Sequence, residues 1–154
     1  MGKASASHNM TDSPEWQCWN GAVGRCHDPN DPNYADWGGR GIKVCDEWRY
    51  DSKTFLDYIL AELGPKPPKT VFDRINNDGH YEPGNVRWAT YKQSARNKRS
   101  NRVFEYQGRK QCAAAWVEEA WANGNLHLTT STFIARMDRN WTMERALTEP
   151  VHRR

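Results

Sequence analysis

Between Val71 and Arg99 the chain reads VFDRINNDGHYEPGNVRWATYKQSARNKR, and most of the side chains able to do chemistry crowd into that stretch. Asp73 is a carboxylate of the kind that, together with water, suits magnesium or manganese. The amide oxygens of Gln93 and Asn97 are further hard donors, set about one helical turn apart. His80 is a candidate general base. Arg87, Lys92, Arg96, Lys98 and Arg99 can hold a phosphate backbone. Hydrolysing a phosphodiester needs charge neutralised at the phosphate, a nucleophile activated and the leaving oxygen stabilised, and a divalent cation serves the first and the last of these.

Two strands and a helix must position this set. Val71 and Phe72 are apolar and β-favouring, and the run stops at Asp73-Arg74. Asn77, Asp78, Gly79, Pro83 and Gly84 suit a loop. Val86 and Trp88 alternate with Arg87 as a second strand would, and Thr90 can cap a helix from Tyr91 to about Lys98. A ββα unit is the result.

The unit resembles the ββα-metal core of HNH endonucleases, in which an acid ends one strand, an Asn opens the next, and a helix with Asn and basic residues closes the arrangement. It is similar to phage-encoded proteins carrying DRI-N-x-D/G-x-Y-x-P-x-N-x-RWAT followed by Q-x-x-x-N-K/R. The resemblance extends over roughly residues 13 to 99 and takes in W-x-x-x-V-x-R-C-x-x-P and WGGRGIKVCDEW. It implies a phage or prophage endonuclease that hydrolyses double-stranded DNA with Mg2+ or Mn2+. Asp73 then takes the place of the metal-binding acid, and Asn85 that of the middle Asn, which fixes the loop by hydrogen bonding.

This chain departs from the pattern at Arg74, where most HNH enzymes have the histidine that activates water. An arginine stays protonated and cannot act as that base. Some rare-cutting HNH restriction enzymes also carry Asp-Arg, and that comparison gives Arg74 as a phosphate clamp and Tyr81 as the residue that attacks or orients water. His80 competes as base. The usual second ligand falls at Ser94, a poor donor, so Asn97 and then Gln93 are the expected ligands. A nuclease-derived DNA-binding regulator that has lost catalysis is the alternative.

Charge is unevenly spread. Residues 1–72 hold 8 Lys+Arg against 10 Asp+Glu, 73–110 hold 9 against 4, and 111–154 hold 5 against 5. The excess on the ββα unit and the linker after it suits counterion release from nucleic acid. Hydrophobic content of 37% is low, and eight Trp supply buried area in compensation. No run is apolar and long enough to cross a bilayer, and Met1 to Asp12 lacks a signal-peptide core, so the expected compartment is the host cytoplasm.

The remaining segments read as supports. Residues 1–12 are expected as a disordered tail, 13–100 as the HNH-like domain and 101–150 as a small helical DNA-binding module, an α+β organisation. Ser13-Pro14-Glu15 opens a helix with Trp16, Trp19, Val23 and Cys26 on one face. Gly38, Gly39 and Gly41 read as a tight hairpin presenting Arg40, either to a phosphate or minor groove or to water, with Ile42 and Val44 on one face of a short strand. Asp51 or Ser52 caps a helix carrying Phe55, Leu56, Ile59, Leu60 and Leu63, and PKPPK is a stiff connector. Cys18, Cys26, Cys45 and Cys112 contain no C-x-x-C pair, so they read as buried thiols rather than structural zinc ligands. After a short strand over Val103 to Tyr106, residues 111–121 read as helix. Thr129 or Thr130 starts another, giving a helix-turn-helix-like pair with Thr132, Arg136 and Arg139 as base or phosphate contacts. The other reading of that pair is a cover for the nuclease core.

Overall fold

The N-terminal helix is set by its cap. In the computed structural model, which describes residues 12–152, Ser13 Oγ accepts the Trp16 N–H at 3.1 Å and Pro14 opens helix α1 (Pro14–His27). The expected tail over 1–12 lies outside the described residues except for Asp12. The chain is α+β, with two two-stranded antiparallel sheets among its helices. It divides into two compact units, one ending at Ala95 and the other beginning at Arg96.

In the first unit, Trp16, Trp19, Val23 and Cys26 face the core from α1. The Trp19 indole N–H donates to the Trp48 carbonyl at 2.6 Å, so the half-buried ring packs on the core without stranding its polar atom. Glu15 Oε1 accepts the Lys66 N–H at 2.7 Å and ties the proline-rich connector to α1. Helix α2 (Asp46–Arg49) is a single turn, and α3 (Ser52–Glu62) is capped by Asp51, whose side chain accepts the Lys53 N–H. Phe55, Leu56 and Ile59 are buried, whereas Leu60, expected inward, is exposed.

The segment over 34–48 corrects the hairpin expectation. Tyr34–Asp36 and Gly38–Arg40 are 3₁₀ turns, and the short strand reduces to one parallel bridge between Val44 and Tyr81. The glycines act for different reasons. A Cβ on Gly38 would lie 2.2 Å from the Cys26 carbonyl oxygen, so this glycine permits close approach to the end of α1. Gly41 sits at φ +88°, where glycine is favoured. Ile42 and Val44 do point into the core together.

Strands β1 (Thr70–Arg74) and β2 (Val86–Thr90) pair antiparallel, with Phe72 opposite Trp88 and Asp73 opposite Arg87. The Phe72 ring meets Phe55, Tyr81 and Trp88 at centroid distances of 5.6, 5.6 and 5.5 Å, which anchors the sheet on the core. Helix α4 (Tyr91–Arg96) follows β2 directly, capped by Thr90 Oγ1 on the Gln93 N–H. It ends short of Lys98 because the chain turns there, with the Asn101 side chain on the Arg96 carbonyl at 3.0 Å.

The second unit contains a hairpin of β3 (Val103–Tyr106) and β4 (Arg109–Cys112). Gln107 and Gly108 both have positive φ, 51° and 73°, the signature of a two-residue turn that matches strand twist. Gln111 and Cys112, expected in the helix, belong to β4. Helices α5 (Ala113–Ala122), α6 (Thr130–Asp138) and α7 (Met143–Thr148) complete the unit around Trp116, Val117, Leu128, Phe133 and Ala146. Among the described residues no helix is long and apolar enough to cross a membrane.

Candidate active site

Asp73 is the natural starting point. It is the fourth residue of β1, and its side chain is 15% exposed. Arg87, its cross-strand partner, donates from Nε and Nη2 to the same oxygen, Oδ2, at 3.1 and 3.0 Å. Both donors of one guanidinium edge therefore converge on a single carboxylate oxygen.

The loop between the strands is held from inside by Arg74, which is only 7% exposed. Its Nη1 donates to the Asn77 carbonyl at 2.7 Å and to the Gly79 carbonyl at 2.6 Å. The guanidinium also lies over the Tyr81 ring, 5.2 Å from its centroid. A side chain so placed builds the loop rather than facing solvent.

Asn85 closes the same loop. Its Nδ2 donates to the His80 and Asn76 carbonyls at 2.8 and 3.1 Å, and its Oδ1 accepts the Asn76 N–H at 2.9 Å. All of these satisfy backbone groups that would otherwise need water. Gly79 lies against this amide, since a Cβ there would fall 2.8 Å from Asn85 Nδ2.

Tyr81 and His80 point to neighbouring segments. Tyr81 is 3% exposed, and its hydroxyl accepts from Arg25 Nη2 at 3.0 Å. His80 Nδ1 accepts the Lys43 N–H at 3.1 Å. Arg40 reaches the loop from outside, bonding Asp78 at 2.9 Å and the Asp36 carbonyl at 3.1 Å.

Gln93 is used at the start of α4. Its Oε1 accepts the Thr90 N–H at 2.9 Å while Thr90 Oγ1 accepts the Gln93 N–H, a reciprocal capping box that the T-x-x-Q spacing already contains. Asn97 belongs to the second unit, whereas Asp73 belongs to the first. Among the described residues no group of three or more His, Cys, Asp or Glu side chains is arranged to hold a metal. One carboxylate still suits Mg2+, which keeps several waters and is commonly bound by one or two carboxylates plus substrate phosphates. Asp73 fits that requirement, and Gln93 already spends one Oε1 lone pair on the Thr90 N–H.

Several of the basic residues are matched to acids. Arg87 is on Asp73, Arg96 is paired with Glu118, and Arg40 with Asp78. Lys92, Lys98, Arg99 and Arg139 are exposed. In the second unit Arg102, Arg109, Lys110 and Arg145 are also matched to acids, namely Asp138, Glu119, Glu105 and Glu149. Arg136 is buried and donates to the Ala146, Glu149 and Pro150 carbonyls, capping the C-terminal end of α7. Thr132 Oγ1 lies 2.9 Å from Thr129 Oγ1 at the N-cap of α6. Sequence reasoning gave no role to Arg25, whose guanidinium lies near the rings of both Trp37 and Tyr81, although it is the Arg of the R-C-x-x-P motif.

The thiols are quiet. Burial raises the pKa of Cys18 and Cys45 and pushes Cys26 up to about 11. His27, beside Cys26 in sequence, accepts the Val44 N–H on Nε2, and burial lowers its pKa. Comparison with protein-family models, with curated proteins and with solved structures finds no match to this chain.

Proposed function

We propose that this chain is a metal-dependent DNA endonuclease of HNH type that cuts or nicks slowly. The observation that carries the reading is Asp73, a partly exposed carboxylate at the end of a two-stranded ribbon whose loop is locked by Asn85 and whose second strand runs straight into a helix. Asp73 would hold Mg2+ or Mn2+, with the remaining positions taken by water and substrate oxygens. The bound cation supplies charge neutralisation at the scissile phosphate and at the leaving oxygen. Arg87, Lys92, Lys98 and Arg99 would hold the backbone.

The slowness follows from the loop. Arg74 is protonated and committed to carbonyls, Tyr81 is buried, and the Nδ1 lone pair of His80 already accepts a backbone N–H. A positioned general base contributes on the order of 10²–10⁴ in rate, and this site forgoes it. A supercoiled plasmid incubated with Mg2+ or Mn2+ tests the proposal, with nicked or linear product expected from wild type and none from Asp73→Ala. Equal product from both, or none from either, rejects it.

The same three commitments favour a second reading, a DNA-binding protein that keeps the ββα scaffold and has lost catalysis. That reading expects tight, salt-sensitive binding to duplex DNA with no metal dependence. Any metal-dependent turnover abolished in Asp73→Ala decides against it.

A further inference from the structure

Within the first unit, the carboxylate assigned to metal binding is already occupied by a cation of the chain itself. Arg87 Nε and Nη2 both donate to Asp73 Oδ2, at 3.1 and 3.0 Å, and the register of the ribbon places the two residues directly opposite. A divalent cation approaching that oxygen meets a fixed positive charge at hydrogen-bonding distance. A phosphodiester has the reverse effect, because a guanidinium binds phosphate with the same two-donor geometry it uses for a carboxylate. Arg87 is 34% exposed on its side chain, enough to reach a ligand from the surface, whereas Asp73 beneath it is only 15% exposed.

We propose that Arg87 is a positioning residue that masks Asp73 while no nucleic acid is bound, and that a phosphodiester draws Arg87 away and so opens Asp73 to a divalent cation. This rests on the reading of Asp73 as the metal ligand. Cation and DNA then bind with positive coupling, and each raises the affinity of the other by the same factor. The plainer view makes Asp73–Arg87 an ordinary cross-strand ion pair whose loss costs some sheet stability and nothing else. Arg74, the next residue of β1, is tied to the Asn77 and Gly79 carbonyls by Nη1.

The test is Mn2+ titration of the full chain without DNA, followed by electron paramagnetic resonance, for wild type, Arg87→Gln, Arg87→Lys and the double variant Arg87→Gln/Asp73→Asn. Removing a unit positive charge at hydrogen-bonding distance from the ligand oxygen relieves its repulsion of an incoming cation, an effect that solvent reduces at this partly exposed pair. Arg87→Gln is therefore expected to bind Mn2+ about tenfold more tightly than wild type. Arg87→Lys, which keeps the charge on a single donor, should fall between them, and the double variant should lose the gain. Circular dichroism establishes which variants fold, and Arg87→Lys carries the test if Arg87→Gln does not. Equal affinities across the series, a gain that survives Asp73→Asn, or no Mn2+ binding by any variant overturns the proposal. Because the readout is binding, a plasmid left intact by every protein rejects the nuclease reading while a tenfold gain in Arg87→Gln still supports the mask.

Discussion

Replacing Arg74 separates a phosphate clamp from a loop brace. The guanidinium is 7% exposed, donates to two carbonyls at 2.7 and 2.6 Å, and covers the Tyr81 ring. Hydrogen bonds from a charged donor are worth about 1.5–3 kcal/mol each, so Arg74→Ala should cost about 3–5 kcal/mol once the stranded carbonyls are counted. For a domain of this size each kcal/mol moves the midpoint by about 4–8 °C, so a fall beyond 12 °C is expected, or failure to fold. Arg74→Lys keeps the charge and a compact donor that can reach a carbonyl, and about a third to a half of that loss is expected. The assays are thermal unfolding by circular dichroism and the salt dependence of binding to a short duplex. A phosphate contact contributes about 0.9 to the slope of log K against log salt, so the brace predicts an unchanged slope in Arg74→Lys. A slope lowered by about one, with thermal stability intact in both variants, would refute the brace and restore the clamp.

Two further outcomes follow from the buried groups. Arg136→Met should destabilise the second unit by about 2–4 kcal/mol, because three carbonyls around the end of α7 lose their donor, and should leave the DNA salt slope unchanged; unaltered melting with weakened binding would instead make Arg136 a DNA contact. Cys26 has its thiol pKa raised by burial from the ordinary 9.0 to about 11, so its contribution to stability is complete below pH 9 and disappears as pH rises through 11. Denaturant titrations across that window should show wild type losing stability with pH more steeply than Cys26→Ala, by roughly 2–3 kcal/mol in total; parallel curves would contradict the buried thiol.

Local chemistry made much of this fold legible in the sequence. Ser13-Pro14, Asp51 and Thr90 announce their helices because a cap needs only a side-chain oxygen next to the first turn. The Val71–Phe72 and Val86–Trp88 alternation gives the ribbon, and Asn85 stands where a loop lock is needed. The GGRG segment misled because glycine marks either a turn or a close approach, and at Gly38 the reason is the Cys26 carbonyl, twelve residues earlier in the chain. β4 escaped because RKQC has no apolar alternation and the helix-forming alanines begin immediately after it.

The site was less legible than the scaffold. Residue type says what Arg74, Gln93 and Arg136 can donate or accept, but burial and neighbouring carbonyls decide where those groups are used. The T-x-x-Q spacing held a capping-box signal, but the sequence reading gives Gln93 to a metal instead. Likewise, the charge excess over residues 73–110 did not reveal that Arg87 and Arg96 are matched to Asp73 and Glu118.

Cleavage itself remains the most direct measurement. The purified protein and its Asp73→Ala variant, each incubated with supercoiled DNA over a Mg2+ series and again with a chelator, should differ in one way only: metal-dependent loss of the supercoiled form, slow and confined to wild type. Conversion that ignores the chelator or persists in Asp73→Ala, or a wild-type protein that shifts DNA on a gel yet never breaks a strand, would contradict the assignment of Asp73 as the cutting centre.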